Sequence, residues 1–329
     1  MIKDLKINSH GGILIDPTIV IDGHEDVRFR VVTHAHSDHL VMLKTSLNKG
    51  LELIGTPLTL EWIEVLGYSL NPLSIKPLNY GERLRLGDGV LWLEKAEHIP
   101  GTAQVVYERS DGLRIVYTSD FKKPGKSTKI ISGDILITDA VYGSPSYKRP
   151  FDDWIDVILT DLVKELLVEG PVHIYGYHGK IQEVMALLRR EGLDTPYILT
   201  HKEYLLAKAA EKAGLRLGSF FHERSEEAEE IIRGRWYIHF HHMNARKKSN
   251  GCGSHVVLSG WEFSKPFKRL GQRRWLVAFS DHADFNGLVD YVVRARPRKV
   301  LVNNSRSTYG ELFVEYLRRK HGIDAYLLP

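Results

Sequence analysis

A short apolar run followed at once by metal-ligand side chains constrains this chain more than any other feature. Residues 29–33 read Phe-Arg-Val-Val-Thr, and His34, His36, Asp38 and His39 occupy four of the next six positions. The β-branched run predicts a buried strand, so the four side chains lie where that strand ends and a loop begins. In a locally extended segment residues two apart point the same way, and His34 and His36 can therefore bind one ion.

The ligand types favour zinc or a similar borderline divalent metal. Imidazole nitrogens with a single carboxylate match the coordination of zinc, whereas calcium and magnesium prefer shells made of oxygen. Asp38 and His39 follow after the chain turns and can face a second position nearby. The alternative is a histidine-rich surface turn without an ion, and a single His-x-His pair would favour it. Four ligand-type residues directly after a β-branched strand favour a metal site instead.

Length and composition are those of an ordinary globular protein. The chain has 329 residues, 43% of them hydrophobic and 26% charged, which suits about two domains. Its net charge of +4 is compatible with an anionic substrate without requiring one. The single cysteine, Cys252, excludes an intramolecular disulfide and fits a reducing cytoplasm. The sequence has no apolar run of membrane-spanning length and no signal-peptide core, so we expect a cytoplasmic protein without a membrane partner.

The pattern of elements changes along the chain in a way that indicates an insertion. In the first part, short apolar strands alternate with turns around one helical pattern at residues 58–66, where Thr56 suits the N-cap and Pro57 the first helical position. Helices and strands then alternate, and strands resume at residues 236–240 and 255–259. We therefore expect a discontinuous first domain.

The motif at residues 34–39 resembles the signature of the metallo-β-lactamase fold. An upstream apolar segment resembles the first strand of that family, which ends in a supporting aspartate, here Asp16. Downstream, a loop resembles the one that supplies a third histidine, here His98. A later strand resembles the one that ends in the aspartate bridging two metals, here Asp120. Each residue alone fits an ordinary turn, but their order and spacing favour the family.

Four further segments resemble the β-CASP insertion of a group of nucleases. A strand ending in Asp139 resembles the motif that opens the insertion, and residues 176–183 resemble its early strand-to-helix junction. Residues 257–261 resemble its closing strand. The segment around His282 resembles the return motif, whose histidine completes the second metal. The resemblance therefore extends over nearly the whole chain.

These resemblances imply both a fold and a chemistry. The implied fold is α/β, an αββα metallo-β-lactamase sandwich with an inserted α/β β-CASP domain. Residues 1–145 and 275–329 would form the discontinuous metallo-β-lactamase domain, and residues 146–274 the insertion. The implied partner is nucleic acid. The implied activity is that of a metal-dependent nuclease with two divalent ions, zinc by expectation, with manganese or magnesium as alternatives for activity.

Seven side chains are the metal ligands that the resemblance implies. They divide into three for one ion, three for the other and one between the two: His34, His36 and His98; Asp38, His39 and His282; and Asp120. Two metals roughly 3.5–4 Å apart lower the pKa of a bound water towards about 7 and neutralise charge on the phosphate oxygens. The shared water or hydroxide is expected to attack phosphorus in line.

Four of the acidic and imidazole groups are expected to take part in catalysis: Asp38, Asp120, Asp139 and His282. Asp16 and Asp139 are expected to orient imidazoles by accepting their free N–H. The proton donor to the leaving oxygen stays open between a metal-bound water and a side chain.

The segment after residues 299–302 bears on the choice between DNA and RNA. Many RNA-processing members of the family carry a histidine there, whereas this chain has Asn303. Artemis-like DNA cross-link repair members also lack the histidine, and the segment around Asp139 resembles that branch and the bacterial DNA-ligase-associated exonucleases. We therefore favour DNA over RNA, and a 5′-to-3′ exonuclease of DNA-repair type. A β-CASP ribonuclease in RNA processing, cutting internally or from the 5′ end, is the alternative.

Two other classes of protein share parts of these motifs. A thioesterase of the metallo-β-lactamase fold would share residues 1–121 and lack the insertion, so residues 139–282 argue against it. Non-catalytic scaffold subunits of RNA-processing complexes usually lose metal ligands, whereas all seven are present here. The sequence identifies no protein partner.

Small and polar residues in the expected insertion and return motif are candidates for binding a substrate phosphate. They are Gly179, Lys180, Ser259, Gly260 and Ser280. Backbone N–H groups at the start of the helix after Gly179 would face the phosphate, and the alternative is a simple glycine turn.

Basic and aromatic side chains supply further candidates for a nucleic-acid groove. Residues 246–248, 273–274 and 294–299 are basic stretches that would track a phosphate backbone or form solvated surface. Three aromatic side chains would stack on bases or pack in the core: Tyr142, Tyr177 and Trp261.

We expect no catalytic role for a second group of histidines or for the lone cysteine. His239, His241 and His242 lie at the end of an expected strand, far in sequence from the implied ligands. We interpret them as strand-end or groove residues, with metal binding as the alternative. Cys252 lies between two glycines without a base partner in sequence, so we expect no catalytic thiol there.

Overall fold

The chain is mixed α/β and divides into two compact units. The computed structural model describes residues 5–8, 10–247 and 252–328. Unit 1 comprises Met1–Lys148 together with His282–Pro329, and unit 2 comprises Arg149–Asp281.

The described residues form twenty strands. Their bounds in chain order are β1 (Lys6–Ile7), β2 (Ile13–Asp16), β3 (Ile19–Ile21), β4 (Phe29–Val31), β5 (Glu52–Gly55), β6 (Ile75–Pro77), β7 (Arg83–Leu86), β8 (Gly89–Lys95), β9 (Ala103–Arg109), β10 (Arg114–Tyr117), β11 (Ile135–Asp139), β12 (Val172–Gly176), β13 (Tyr197–Leu199), β14 (Phe220–His222), β15 (Ile238–His242), β16 (Ser254–Leu258), β17 (Phe267–Gly271), β18 (Arg274–Val277), β19 (Lys299–Asn303) and β20 (Ala325–Leu328).

Helices connect these strands. The α-helices of the described residues are α1 (Leu43–Asn48), α2 (Pro57–Val65), α3 (Ile155–Glu169), α4 (Lys180–Arg190), α5 (His201–Lys212), α6 (Glu226–Gly234), α7 (Phe285–Ala295) and α8 (Gly310–His321). Short 3₁₀ helices lie at Pro72–Ser74, Asp152–Trp154 and Met243–Lys247. Each helix that the structure describes is too short or too polar to cross a membrane.

Two sheets of unit 1 share one hydrophobic core. The first has the strand order β1-β2-β3-β4-β5-β6, and the second the order β20-β19-β11-β10-β9-β8-β7. Both sheets contribute buried side chains to that core, among them Ile15, Val31, Leu93, Tyr107 and Ile137. Removal of this apolar surface from water holds the two sheets together.

The ends of three strands in unit 1 position the segments that the sequence singles out. β4 pairs in parallel with β3 and β5 and ends at Val31, just before the histidine-rich loop. β10 ends at Tyr117 beside the parallel strand β11, which ends at Asp139. β11 also pairs with β19, and this register sets Asp139 opposite Asn303. Loops carrying polar side chains therefore begin where parallel strands end.

The described strands of unit 2 form one sheet of order β14-β13-β15-β12-β16-β18-β17. Its strands run parallel except in the β17–β18 hairpin. α3 and α4 contact β12, and α5 contacts β13 and β15. Alternating helices and parallel strands are the usual arrangement where crossover connections cover a sheet.

Helix α2 begins as the sequence predicts. The Thr56 side chain accepts a hydrogen bond from the Thr59 N–H at 3.2 Å, and Pro57 is the first helical residue. The predicted helix at residues 58–66 is confirmed with a shift of one residue. The strand expected to be the first is the second, because β1 precedes it and pairs with it antiparallel.

Candidate metal centre

Three histidines and one aspartate of unit 1 gather at the strand ends. His36 Nδ1 lies 3.2 Å from His34 Nε2 and 3.0 Å from His98 Nε2. One ligand atom from each histidine and one from Asp120 all lie within 4.8 Å of one another. His34, His98 and Asp120 are buried, so the group is largely withdrawn from water. Such a group could bind a metal ion.

Asp120 lies at the middle of a larger set of imidazoles. Its Oδ2 is 3.3 Å from His39 Nε2, 3.6 Å from His98 Nε2 and 3.7 Å from His34 Nε2. Its Oδ1 is 3.7 Å from His282 Nδ1. The two oxygens of one carboxylate thus face different histidines, which is the arrangement that a bridging ligand needs.

A second possible ligand group consists of Asp38, His39 and Asp120. His39 Nε2 is buried and faces two carboxylate oxygens, Asp120 Oδ2 at 3.3 Å and Asp38 Oδ2 at 3.6 Å. A divalent ion between these three ligand atoms could take the place of the proton that joins the imidazole to the carboxylates. The donor atoms present fit a divalent ion here as well. The name strand-end cluster is used for the seven side chains His34, His36, Asp38, His39, His98, Asp120 and His282.

A turn after β4 explains why Asp38 and His39 point in a different direction from His34 and His36. The His39 N–H donates to the His36 carbonyl at 3.1 Å, and the Leu40 N–H donates to the Ser37 carbonyl at 3.2 Å. Bonds between residues three apart close a turn. Asp38 and His39 therefore leave the extended path of the residues before them and join a different ligand group.

Asp22, which the sequence analysis passed over, supports the cluster. Its carboxylate accepts hydrogen bonds from the Thr33 N–H at 2.8 Å and the Thr33 hydroxyl at 2.5 Å. Its Oδ2 also lies 2.8 Å from His39 Nδ1. A carboxylate on Nδ1 holds the proton there and leaves the Nε2 lone pair directed at the cluster.

The expected role of Asp16 is corrected by these contacts. The Asp16 carboxylate accepts hydrogen bonds from the Thr18 N–H at 2.8 Å and from the Tyr107 hydroxyl at 2.9 Å. It closes the turn between β2 and β3, whereas Asp22 follows β3, the neighbour of β4. Residues 19–23 are an apolar run followed by Asp-Gly, and they show the same pattern of a strand followed by an aspartate as the segment that ends in Asp16.

Asp139 lies in the same neighbourhood. Its Oδ2 accepts a hydrogen bond from the Tyr117 hydroxyl at 2.5 Å, and its role in orienting a histidine stays a prediction. Burial raises the pKa of Asp139 to about 6. It lines a small cavity whose walls include part of the strand-end cluster, with lining residues Ser119, Asp120, Phe121, Asp139, Val141, His282, Ala283 and Leu288.

Arg306 is a further residue that the sequence did not reveal. Its Nε donates to the Asp38 carbonyl at 3.2 Å, and its Nη2 donates to the carbonyls of Gly11, at 3.2 Å, and Asp22. Burial works to lower the pKa of Arg306, but Tyr117 and the surrounding carboxylates raise it above its usual value. A permanently charged fork therefore holds the loop that carries Asp38. A lone arginine in the polar segment after β19 gives no sequence signal for this role.

The charges of the strand-end cluster are strongly interdependent. Burial and neighbouring imidazoles lower the pKa of His34 well below its usual value. Burial works to lower the pKa of His39, but nearby carboxylates outweigh it and raise that pKa to about 10. Burial would raise the pKa of Asp120, but surrounding imidazoles, led by His282, hold it well below its usual range. A bound cation would take over the role of the proton on His39.

The first two phosphate candidates of unit 2 are already engaged. The Gly179 N–H donates to Gln182 Oε1 at 2.7 Å, which caps α4 from within. The φ of Gly179 is +86°, a conformation that favours glycine. The Lys180 side chain is buried, with its Nζ 3.2 Å from Asp281 Oδ1. The glycine N–H and the lysine charge are thus used inside unit 2, contrary to their expected use on a phosphate.

The other phosphate candidates lie near the end of unit 2. Ser259 Oγ accepts a hydrogen bond from the Trp261 N–H at 3.2 Å. The Gly260 carbonyl accepts one from Arg149 Nη1 at 3.2 Å, and Ser280 is buried. Their role toward a phosphate stays a prediction.

The aromatic candidates differ in exposure. Tyr142 is buried and packs against Tyr147 and His282, so the idea that it stacks on bases is corrected. Tyr177 and Trp261 are exposed by 48% and 60%, which leaves their rings accessible.

Several basic candidates are ion-paired, and one lies outside the described residues. Arg294 pairs with Asp290, Arg298 with Asp134, and Lys299 with Asp324. Arg246 and Lys247 belong to the 3₁₀ helix Met243–Lys247, and Lys248 lies outside the described residues. Nearby carboxylates therefore neutralise much of the positive charge of residues 294–299.

The second group of histidines divides in two. His239 and His241 come together with His173 in a third possible ligand group, in unit 2. His242 lies apart from that group, against Tyr177 and His178. The interpretation of all three as strand-end or groove residues is therefore too simple. The Cys252 thiol is free and exposed.

Comparison with known proteins supports a relationship to nucleases. No protein-family model matches the chain. It is 42% identical over 138 residues to an "Uncharacterized protein in lig 3'region" of Acidianus ambivalens, covering 42% of this chain and 99% of that protein. It is 24% identical over 317 residues to the "DNA cross-link repair protein SNM1" of Arabidopsis thaliana, covering 88% of this chain and 64% of that one. It is 25% identical over 219 residues to the "Probable RNase MJ4" of Methanocaldococcus jannaschii, covering 56% and 50%.

A solved structure shares the fold. A protein of unknown function from Enterococcus faecalis V583 aligns with a TM-score of 0.63 and 13% identity, over 93% of this chain and 80% of that one. The chain spans 64% of the length of the cross-link repair protein and 50% of the length of the probable RNase. The chain is related in sequence to proteins of the β-CASP nuclease family.

Proposed function

We propose that this chain is a metal-dependent phosphodiesterase that shortens DNA from the 5′ end, with two zinc ions bound in the strand-end cluster. The observation that carries the proposal is the position of Asp120 between the two ligand groups. Its Oδ2 is 3.6 Å from His98 Nε2 of the first group, and its Oδ1 is 3.7 Å from His282 Nδ1 of the second. The buried Nε2 of His39 supports it, because this nitrogen faces Asp120 Oδ2 at 3.3 Å and Asp38 Oδ2 at 3.6 Å, where a divalent ion could take the place of a proton.

In this proposal the side chains of unit 1 divide the work of holding the ions. His34, His36 and His98 would bind one ion, Asp38, His39 and His282 the other, and Asp120 both. When bound, the ions supply an activated water and neutralise charge that builds on the phosphate oxygens. Asp22 keeps the His39 proton on Nδ1, and Arg306 keeps the loop of Asp38 in place.

Asp139 would act on the substrate side of the cluster. It faces the same small cavity as Asp120 and His282. Burial raises its pKa to about 6, so the carboxylate is ionised at neutral pH and close to its titration range. A group with such a pKa can accept a proton or orient a water during hydrolysis.

The proposal includes the domain roles that the resemblance implies. Residues 1–145 with 275–329 would be the αββα metallo-β-lactamase sandwich, and residues 146–274 the β-CASP insertion. The two sheets that share a core in unit 1 and the parallel sheet of unit 2 support two such domains. The boundaries of the compact units differ by a few residues from the proposed ones, since unit 2 comprises Arg149–Asp281 and its sheet includes β18. Unit 2 would then supply contacts to the nucleic acid, with Tyr177 and Trp261 as accessible aromatic side chains.

Asn303 supports DNA as the substrate. It lies opposite Asp139 in the sheet, and its Oδ1 accepts hydrogen bonds from the Ser305 N–H at 3.0 Å and hydroxyl at 2.7 Å. The amide oxygen is thus engaged in the loop at the position where the resemblance implies a histidine in many RNA-processing family members, whereas Asn303 Nδ2 has no hydrogen-bond partner among the described residues. A ribonuclease is the second candidate, because a relative named as an RNase matches 56% of the chain.

The test is a cleavage assay with the full-length, metal-loaded protein. The substrates are single-stranded DNA and RNA of one sequence, both 5′-phosphorylated and end-labelled. We expect stepwise shortening of the DNA from its 5′ end, lost in a His36→Ala, Asp38→Ala variant. The matched control is His321→Ala, Asp324→Ala, which changes exposed residues of the same types in unit 1.

The outcomes separate the candidates. Preferential cleavage of RNA would contradict the DNA proposal and favour the ribonuclease. No cleavage of either substrate by protein that contains bound zinc would contradict the nuclease itself. Equal loss in both double variants would mean that the strand-end cluster is not the active site.

A further inference from the structure

Three histidines of unit 2 meet on one face of its sheet. Ring nitrogens of His173, His239 and His241 all lie within 4.8 Å of one another. His173 belongs to β12, and His239 and His241 belong to the neighbouring strand β15. These three side chains are called the sheet-face cluster.

The strand register brings the three side chains together. In the parallel pairing of β12 with β15, His173 lies opposite His239, and Tyr175 lies opposite His241. Residues two apart on a strand point to the same face, so His239 and His241 lie on the same side as His173. The cluster is therefore held by backbone hydrogen bonds of the sheet and not by loops.

Hydrogen bonding assigns the proton of one imidazole. His173 Nε2 lies 3.2 Å from the Cys252 backbone carbonyl, which can only accept a hydrogen bond. The Nε2 therefore carries the proton and the neutral ring has its lone pair on Nδ1, which lies 3.0 Å from His241 Nε2. A backbone carbonyl on the far nitrogen is the usual way in which proteins orient a histidine that binds metal.

A second imidazole of the cluster lacks a partner. His239 Nε2 is buried and makes no hydrogen bond within the described residues. The nearest carboxylate oxygen, Glu223 Oε2, is 3.8 Å away, beyond hydrogen-bond distance. Leaving such a buried nitrogen without a hydrogen bond is unfavourable, and an ion bound between the rings would satisfy it.

A fourth histidine marks the limit of the site. His255 stacks on His173 with ring centroids 5.0 Å apart. Its Nδ1 is 3.0 Å from the Tyr175 hydroxyl, so this nitrogen already has a partner. His255 thus packs beside the cluster, and the ligand set consists of the other three rings.

We propose that His173, His239 and His241 form a second metal site, which binds one zinc ion or a similar borderline divalent cation. Three neutral imidazoles suit zinc, cobalt, nickel or copper, whereas magnesium, manganese and calcium favour oxygen ligands. Glu223 or a water would complete the shell. The ion would join β12 to β15 and so stabilise unit 2, without a part in the chemistry of the strand-end cluster.

The test counts metal ions in a chain whose strand-end cluster is disabled. The parent is the full-length His36→Ala, Asp120→Asn variant, equilibrated with Zn²⁺, freed of unbound metal by gel filtration and analysed by mass spectrometry of the metal. Adding His239→Gln and His241→Gln should remove one zinc ion per chain. Adding His201→Gln and His222→Gln should remove none, because that pair is an exposed histidine contact of unit 2, with ring nitrogens 3.3 Å apart. Equal zinc contents in the two derivatives would overturn the proposal.

A second measurement guards against misfolding of the double variant. The parent is titrated with Co²⁺, and nitrogen-coordinated cobalt should produce visible absorption that is lost in the single variant His173→Gln. A titration without visible absorption in the folded parent would overturn the proposal, whatever the variants do. Absorption that persists unchanged in folded His173→Gln would also overturn it, because the cobalt would then lie elsewhere.

Discussion

The two histidine clusters of this chain differ in what surrounds the imidazoles. In the strand-end cluster, carboxylates contact the rings, with Asp22 Oδ2 2.8 Å from His39 Nδ1 and Asp120 Oδ2 3.3 Å from its Nε2. In the sheet-face cluster, the corresponding contacts are a backbone carbonyl 3.2 Å from His173 and a carboxylate 3.8 Å from His239. One cluster mixes charges and the other consists of neutral rings.

This difference indicates two kinds of site. Carboxylates at strand ends can share two ions and leave positions open for a phosphate, which suits catalysis. Imidazoles projecting from adjacent strands are fixed by the sheet, which suits a single structural ion. A chain with sixteen histidines can therefore carry two metal chemistries that a count of histidines does not distinguish.

Replacing Asp120 tests the mixed-charge cluster with the largest expected effect. Asp120→Asn removes the charge that faces both ligand groups, so we expect nuclease activity to fall by roughly a thousandfold or more. Activity and bound zinc should be measured on the same preparations. Asp111→Asn, in an exposed turn of unit 1, is the control and should retain activity. Full activity in Asp120→Asn would mean that charge at this cluster is not what separates it from the sheet-face cluster.

The second prediction separates two aspartates that look alike in sequence. Asp22→Asn loses the charge that fixes the His39 proton, and such changes typically lower metal affinity or activity about 10–100-fold. Asp16→Asn should change both by less, because Asp16 binds Thr18 and Tyr107. Measuring the zinc affinity and the turnover of both variants shows which aspartate supports the strand-end cluster. A larger loss in Asp16→Asn would restore the role that the sequence suggested for it.

These two aspartates show how far the sequence alone could lead. Ligand-type residues following apolar strands are visible in sequence, and His34, His98 and Asp120 do come together in unit 1. Asp16 and Asp22 each follow an apolar strand, and the sequence alone does not show which of them supports the histidines. The order of strands in the sheet decides this, because β3 and not β2 pairs with β4.

Contacts between distant segments were beyond reach of the sequence for the same reason. Arg306 contacts Gly11, Asp22 and Asp38, and the position of its side chain is set by the loop after β19. The sheet-face cluster depends on the parallel register of β12 with β15, which aligns His173 with His239. Periodicity predicts each strand, but it carries no information on which strands pair.

The third prediction extends the comparison to buried carboxylates. Asp120 of unit 1 is surrounded by imidazoles, whereas Glu203 of unit 2 is buried with a hydrogen bond from the Gln182 amide at 3.1 Å. Burial raises the pKa of Glu203 to about 7. The folded state therefore holds this proton more tightly than the unfolded state, and the stability that this provides is lost as pH rises from about 4.5 through 7.

Glu203→Gln should remove that pH dependence. At pH 8 we expect the variant to be more stable than the parent by on the order of 2 kcal/mol, with little difference or a small loss at pH 4.5. Urea unfolding at both pH values, followed by a probe in unit 2, measures the effect. The exposed Glu211→Gln is the control. If the free energies of unfolding of parent and variant changed equally with pH, the pKa of Glu203 would not be raised by burial. The contrast with Asp120 of unit 1 would then fail.

The smallest expected effect comes from a matched pair of buried tyrosines in unit 1. The Tyr117 hydroxyl donates to Asp139 at 2.5 Å, and the Tyr107 hydroxyl donates to Asp16 at 2.9 Å. Each change to phenylalanine removes one hydrogen bond to a carboxylate, so each should cost about 1–3 kcal/mol of stability. Their effects on catalysis should differ, because only Asp139 lines the cavity beside the strand-end cluster.

Burial raises the pKa of Asp139 to about 6, and the Tyr117 hydroxyl opposes that rise by stabilising the carboxylate. In Tyr117→Phe the pKa of Asp139 should rise further, so the acidic limb of the pH–rate profile should move to higher pH. Tyr107→Phe should lose similar stability and keep the parent profile. A common shift in both variants would trace the acidic limb to general destabilisation, whereas a shift in Tyr117→Phe alone would connect Asp139 to the reaction.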